Sequence, residues 1–205
     1  GYETVYKVMS AADFETPQDR KRCFFVAVRN DIMEKAGLNF MTLESEIYPD
    51  PVTPKHIGIK DAIENCVNDP EQEKELFEYV QNGFQKKWIE LLEFNPTKHR
   101  KPSDPDFIEI NPKRSMFNMI RPAPHLPSPT LTQRGQQMSV SGVFHYAKNR
   151  KLTIPELKRL MGLPEDFKLE GKFDKQAERI GRMVAPLMMK NLASYIYEKV
   201  LKRTK

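Results

Sequence analysis

The run Cys23-Phe24-Phe25-Val26-Ala27-Val28 limits more than any other feature what this chain can fold into. Six apolar, mostly β-favouring residues in a row predict a strand covered on both faces, as in an α/β sheet. A second strand is expected over residues 2–10, where Tyr2, Val5, Tyr6, Val8 and Met9 supply apolar and aromatic positions. Residues 14–21 read as the loop between them. Two strands cannot form such a sheet alone, so its remainder is expected from sequence outside this chain or from a partner chain. On the same reading, the start at Gly1 is expected to be an internal boundary.

The rest of the sequence is helical or irregular. From residue 30 to 70, prolines at 49, 51, 54 and 70 predict loops with short helices, one of them at Ile59 to Cys66. Residues 71–94 place Leu76, Phe77, Val80, Phe84, Trp88, Leu91 and Leu92 three and four apart, which predicts one long amphipathic helix running through Gly83, its stripe turned to the core. Residues 95–129 are rich in proline and read as loop-built, the kind of segment that often carries recognition. Thr153-Ile154-Pro155-Glu156 predicts a helix start by capping box, ended by Gly162 and Pro164. A last helix is expected from about Ala185, with Val184, Met188, Leu192, Ile196 and Val200 along one side.

Composition narrows the function. No apolar run approaches the roughly 20 residues of a membrane span, so no membrane partner is expected. Two cysteines, Cys23 in the strand and Cys66 in polar sequence, make neither a disulfide framework nor a metal-ligand spacing, which fits a cytoplasmic setting and no metal. Cys23 is expected to be a buried small hydrophobe and not a nucleophile. The net charge of +5 is modest, but the cations of 98–101, 113–114, Arg121, Arg134 and 148–151 fall in loop-like sequence, as a phosphate-binding partner would want.

Four stretches carry chemistry. Pro17-Gln18-Asp19-Arg20-Lys21-Arg22 sets two arginines two residues apart, so that in extended backbone both point one way and could grip a phosphate and a base edge together. Arg121-Pro122 is followed by Ser128-Pro129-Thr130-Leu131-Thr132. Next comes Asn149-Arg150-Lys151-Leu152-Thr153-Ile154-Pro155-Glu156, continuing through Gly162-Leu163-Pro164-Glu165-Asp166-Phe167. The last is Gln176-Ala177-Glu178-Arg179-Ile180-Gly181-Arg182-Met183-Val184-Ala185-Pro186.

In this order the stretches resemble the C-terminal half of a DNA (cytosine-5) methyltransferase, from its eighth to its tenth conserved block. The resemblance covers residues 1–30 and 115–205. It implies an α/β fold in which 1–30 form part of the edge of a Rossmann-like methyltransferase sheet, 31–148 a small irregular target-recognition region, and 149–205 the return to the catalytic domain. By the same resemblance Arg22 contacts the cytosine carbonyl and Arg20 the backbone nearby, both in catalytic roles. Gln18, Arg121, Thr130, Leu131, Arg134 and Arg150 are implied for double-stranded DNA, and Leu163, Arg182, Met183 and Val184 for part of an S-adenosylmethionine pocket.

The family's chemistry explains these residue types. A cysteine thiolate adds to carbon 6 of an extruded cytosine, and carbon 5 then takes the sulfonium methyl. Extrusion costs about a few kcal/mol, so permanently charged, planar donors are needed to hold the base. The Pro-Cys nucleophile, the glycine-rich cofactor loop and the Glu-Asn-Val segment are absent from this sequence. The expectation is therefore a chain that is inactive alone and needs an N-terminal catalytic half, in cis or as a separate subunit. Arg182 stands where the family has asparagine, Leu163 where it has an aromatic, Ala185 where it has proline, and Glu15 where it has glycine. Two other readings stay open: a non-catalytic DNA-binding remnant or regulatory subunit, and a structural α/β domain with solvated basic residues.

Overall fold

The computed structural model describes residues 1–116 and 118–204. Its spine is a long antiparallel ribbon of β1 (Tyr2–Ser10) and β3 (Lys21–Arg29), paired in register from Tyr2 opposite Arg29 to Ser10 opposite Lys21. A 3-10 turn (Ala11–Phe14) and the two-residue β2 (Gln18–Asp19) fill the ribbon's tip. Three short helices follow: α1 (Asn30–Ala36), α2 (Phe40–Ile47) and α3 (Ile59–Ile63). Then come α4 (Pro70–Asn82), α5 (Lys86–Leu91), a long irregular stretch, and β4 (Ser128–Pro129). The chain closes with α6 (Ile154–Met161), α7 (Phe173–Arg182) and α8 (Pro186–Lys199).

The inner face of the ribbon, with Met9, Val28, Phe24 and Val26, joins a core built from Met33, Leu43, Ile47, Ile59, Leu157, Leu160, Ile180, Met188 and Leu192. Helices α1 to α3 therefore pack with the ribbon and the C-terminal helices, and Leu131 and Val143 join the same core. A smaller second core holds Val80, Ile89, Leu92, Phe107, Met119 and Phe144.

Three expectations are corrected. The apolar run of β3 is covered on one face only: Phe25 is 71% exposed and Cys23 is also exposed, so Cys23 is not a buried hydrophobe. Tyr2, Tyr6 and Val8 share that bare face, and Tyr6 stacks on Phe25 with ring centres 5.6 Å apart. The predicted helix over 71–94 is two helices, broken where Gly83 is extended (φ −104°, ψ 173°). Leu76, Val80 and Leu92 of its stripe are buried, whereas Phe77 and Phe84 are exposed. Helix α7 was not foreseen.

Helix α6 follows its local code. The Thr153 side chain accepts from the Glu156 amide, the Glu156 carboxylate accepts from the Thr153 amide at 2.9 Å, and Gly162 takes the left-handed conformation (φ 73°) that ends the helix. Among the described residues no helix is long and apolar enough to cross a membrane.

Candidate nucleic-acid interface

The ribbon tip, the segment 128–132 and the end of α7 meet at one junction. Strands β2 and β4 pair in parallel, Gln18 opposite Ser128 and Asp19 opposite Pro129. Gln18 is fully buried: its Nε2 donates to the Leu160 carbonyl (3.1 Å) and its Oε1 accepts from the Leu131 amide (3.0 Å). The Thr130 hydroxyl donates to the Asp19 carbonyl at 2.7 Å. Arg20, 2% exposed, donates to the carbonyls of Leu131 (2.7 Å) and Gly181 (2.9 Å). A Cβ at Gly181 would lie 2.4 Å from the Thr132 carbonyl oxygen, so only glycine lets α7 touch the backbone of this segment.

The two arginines of the motif do not act as a matched pair. Arg20 lies just before β3 and is spent inside the protein; burial, helped by the charge of Arg22, pushes its guanidinium down to about 10, still protonated at neutral pH. Arg22 is half-buried in β3 opposite Met9, and donates one bond to the Lys21 carbonyl. The expectation that both face a ligand is thus corrected: Gln18 and Arg20 brace the junction, and Arg22 keeps its remaining donors.

Arg121 and Arg150 are corrected too, since both are buried struts. Arg121 donates to the carbonyls of Ile89 (2.8 Å) and Leu92 (2.5 Å) at the end of α5 and to the Asn149 side chain, a cation placed where the helix dipole favours it. Burial pushes it down to about 10. Arg150 forks onto Glu156 (2.8 and 2.9 Å) and also pairs with Glu73 of α4. Burial disfavours its charge, but the Glu156 hydrogen bond and the charges of Glu156 and Glu73 outweigh it and raise its pKa. Glu156 feels the same balance: burial opposes ionisation, and Arg150 holds it below the usual carboxylate range.

Arg134 is exposed three residues beyond Leu131, and makes no ion pair among the described residues. Leu131 is buried and contributes its backbone, not its side chain. Beside the junction an open groove of about 410 Å³ is lined by Ser10, Asp13, Asp19, Lys21, His56 and His99. His56 sits 2.8 Å from Asp13, and Nδ1 of His99 accepts from the Ala123 amide, which leaves Nε2 free to donate. Sequence reading missed both histidines, because isolated histidines in loops carry no periodic signal.

The residues implied for a cofactor differ in their surroundings. Leu163 borders a small cavity of about 190 Å³ whose other walls are Cys66, Val67, Pro155, Lys158, Arg159 and Glu165. Arg182, Met183 and Val184 are not among them. Arg182 is largely exposed and turns to Glu178 at 3.3 Å; Val184 is exposed and Met183 half-buried.

Comparison with known proteins extends over nearly the whole chain. A family model described as C-5 cytosine-specific DNA methylase matches residues 1–198. The Type II methyltransferase M1.HphI of Haemophilus parahaemolyticus is 30% identical over 98% of this chain and 49% of its own length. M.DdeI of Desulfomicrobium norvegicum is 24% identical over 96% of this chain and 54% of its own. The chain thus spans about half the length of the curated relatives it matches. Among solved structures, a DNA modification methyltransferase encoded within a prophage (E. coli) superposes with a TM-score of 0.63 at 18% identity, covering 98% of this chain and 61% of that one. The S. pombe Dnmt2 methyltransferase gives 0.54 at 16% identity, over 97% and 59%. At such identities the structures establish a shared fold and nothing finer.

Proposed function

As this chain belongs to the C-5 cytosine-specific DNA methylase family, we propose that it is the DNA-recognising and base-clamping half of a DNA (cytosine-5) methyltransferase. On this reading S-adenosylmethionine gives a methyl group to an extruded cytosine in double-stranded DNA. The attacking thiolate, and most of the cofactor's pocket, come from a catalytic half supplied in cis or as a separate subunit. Residues 1–30 and 149–205 belong to the edge of the catalytic domain on this reading, and residues 31–148 form the recognition region. The relatives' pairing with restriction enzymes, implied by their Type II names, is part of the same proposal.

One observation carries it. Gln18 and Arg20 tie Leu131 and Gly181 into one junction across 111 to 161 residues of sequence. Thr130 is held at that junction by its bond to the Asp19 carbonyl, and on this reading Arg22 and Arg134 reach the DNA beside it. Arg22, with donors left over beyond its bond to the Lys21 carbonyl, would hold the oxygen edge of the base with its planar fork. Arg134 would meet a phosphate, and the Thr130 segment would lie beside the backbone of the displaced nucleotide. Gln18 and Arg20 position these groups, as do Arg121 and Arg150 for the recognition region. The bare outer face of the β1–β3 ribbon supports a missing half, since a two-stranded sheet with one apolar face in water is not a finished layer.

The test is transfer of labelled methyl groups to duplex DNA by this chain, alone and with a separately expressed catalytic half. Activity only in the mixture, abolished by Arg22→Ala, supports the proposal; a mixture that binds DNA but transfers nothing refutes it. Arg182, a cation that is exposed and turned to Glu178, favours one second reading, a DNA-binding regulator without methylation, which predicts that outcome.

A further inference from the structure

Lys151 is fully buried next to Arg150, and among the described residues no carboxylate forms an ion pair with it. Its Nζ donates instead to three carbonyls, those of Gly135 (3.1 Å), Gln137 (2.7 Å) and Val140 (2.5 Å). An ammonium has three protons, so every donor is spent on one loop. The Phe144 ring lies 5.6 Å from the same nitrogen and closes the pocket around it.

That loop, residues 132–142, contains no helix or strand. Its neck is a backbone crossing: a Cβ on Gly142 would fall 1.8 Å from the Gly135 carbonyl oxygen. From outside, Asp174 of α7 accepts the Met138 amide at 2.8 Å. Thr132, where the loop begins, rests on Gly181 beside the carbonyl that receives Arg20. Arg134, exposed and without an ion pair among the described residues, lies in sequence between Thr132 and the neck at Gly135.

We propose that Lys151 is a positioning residue for DNA binding: its three-carbonyl anchor fixes loop 132–142 so that Arg134 meets a phosphate beside the Gln18, Arg20 and Leu131 junction. The inference rests on the DNA-binding reading above. A loosely anchored loop would scatter Arg134 over many positions, and binding would then bear the entropy of ordering it. A compact ammonium suits a concave ring of carbonyls better than a planar guanidinium does. A neutral side chain would take the ammonium from all three carbonyls, and of these Gln137 alone would keep a backbone donor, the Val140 amide.

The test measures duplex affinity against salt concentration for the wild-type chain, Arg134→Ala, Lys151→Met and the double variant. Arg134→Ala is expected to weaken binding about tenfold and to lower the slope of log K against log salt by about one, the signature of a lost phosphate contact. Lys151→Met is expected to lower the slope equally although Lys151 touches no phosphate, and the double variant to bind no worse than Lys151→Met. Should Lys151→Met fail to fold, Asp174→Ala frees the same loop from its outer side and carries the same expectation. Additive losses with an unchanged slope in the lysine or aspartate variant overturn the proposal alone. A wild-type chain that binds no duplex overturns the DNA-binding reading and the proposal together.

Discussion

Nη2 of Arg20 donates to the carbonyl of Gly181 at 2.9 Å, joining residues 161 positions apart, while Nη1 reaches Leu131 at 2.7 Å. No carboxylate neutralises this arginine among the described residues; backbone dipoles do. Arg20 and its neighbour Arg22 should therefore fail in different ways. Arg20→Met removes two charge-assisted bonds and strands two carbonyls, so it is expected to cost about 3 kcal/mol of stability, read as a lower denaturant midpoint. Arg22→Ala is expected to shift stability by less than about 1 kcal/mol yet to reduce reconstituted methyl transfer about a hundredfold or more. Equal stability losses for the two variants would contradict this division of labour.

Gly181→Ala tests the same junction from the other side. The added methyl would sit 2.4 Å from the Thr132 oxygen and 2.8 Å from the Gln133 Cα, both backbone atoms that cannot swing aside. Segment 131–133 must move, at an expected cost of roughly 2–3 kcal/mol, with weaker DNA binding in the fraction that folds. Thermal unfolding and duplex affinity check both parts; a wild-type Tm would mean that α7 and Thr132 are not in contact.

Acid should destabilise the fold through His145. Its Nδ1 accepts from the amides of Ala147 and Lys148, and burial holds the imidazole pKa at about 4, against 6.5 when unperturbed. Between those values the unfolded chain binds a proton that the folded chain refuses. Stability is thus complete above about 6.5 and falls as pH drops towards 4, by at most about 1.4 kcal/mol per pH unit. Urea midpoints at pH 7, 6 and 5 measure it, and His145→Gln should flatten the trend. A midpoint constant from pH 7 to 5 would show that the imidazole protonates without cost.

The bare face of the ribbon predicts behaviour in solution. The wild-type chain is expected to self-associate through this face, and replacing Tyr6 and Phe25 together by lysine and glutamate should keep it monomeric and should abolish activity on mixing with a catalytic half. Sedimentation and methyl transfer read the two effects. Full activity of the double variant would place the missing half elsewhere.

How legible these features were depended on how local their causes are. The start and stop of α6 could be read because Thr153, Glu156 and Gly162 act within a turn of themselves. The ribbon could be read too, but not its bare side: with apolar residues on both faces, Cys23 to Val28 shows no alternation, although Phe24 and Val26 turn inward and Phe25 outward. Helix α7 escaped notice because its buried side rests on only Ala177, Ile180 and Gly181 in an otherwise charged sequence. The burial of Arg20, Arg121, Arg150 and Lys151 was out of reach for another reason. A cation in a loop looks solvated until the carbonyls that receive it are known, and for Arg20 and Arg121 those lie 29 to 161 residues away.

The braces of the junction all belong to one polypeptide: Gln18, Arg20, Leu131 and Gly181 need no atom from another chain to find one another. On the proposed function, a clamp braced in this way is finished before its catalytic half arrives. Encounter between the two halves should then be limited by diffusion and by burial of the ribbon's outer face, with an association rate first order in each half and no slow folding phase after contact.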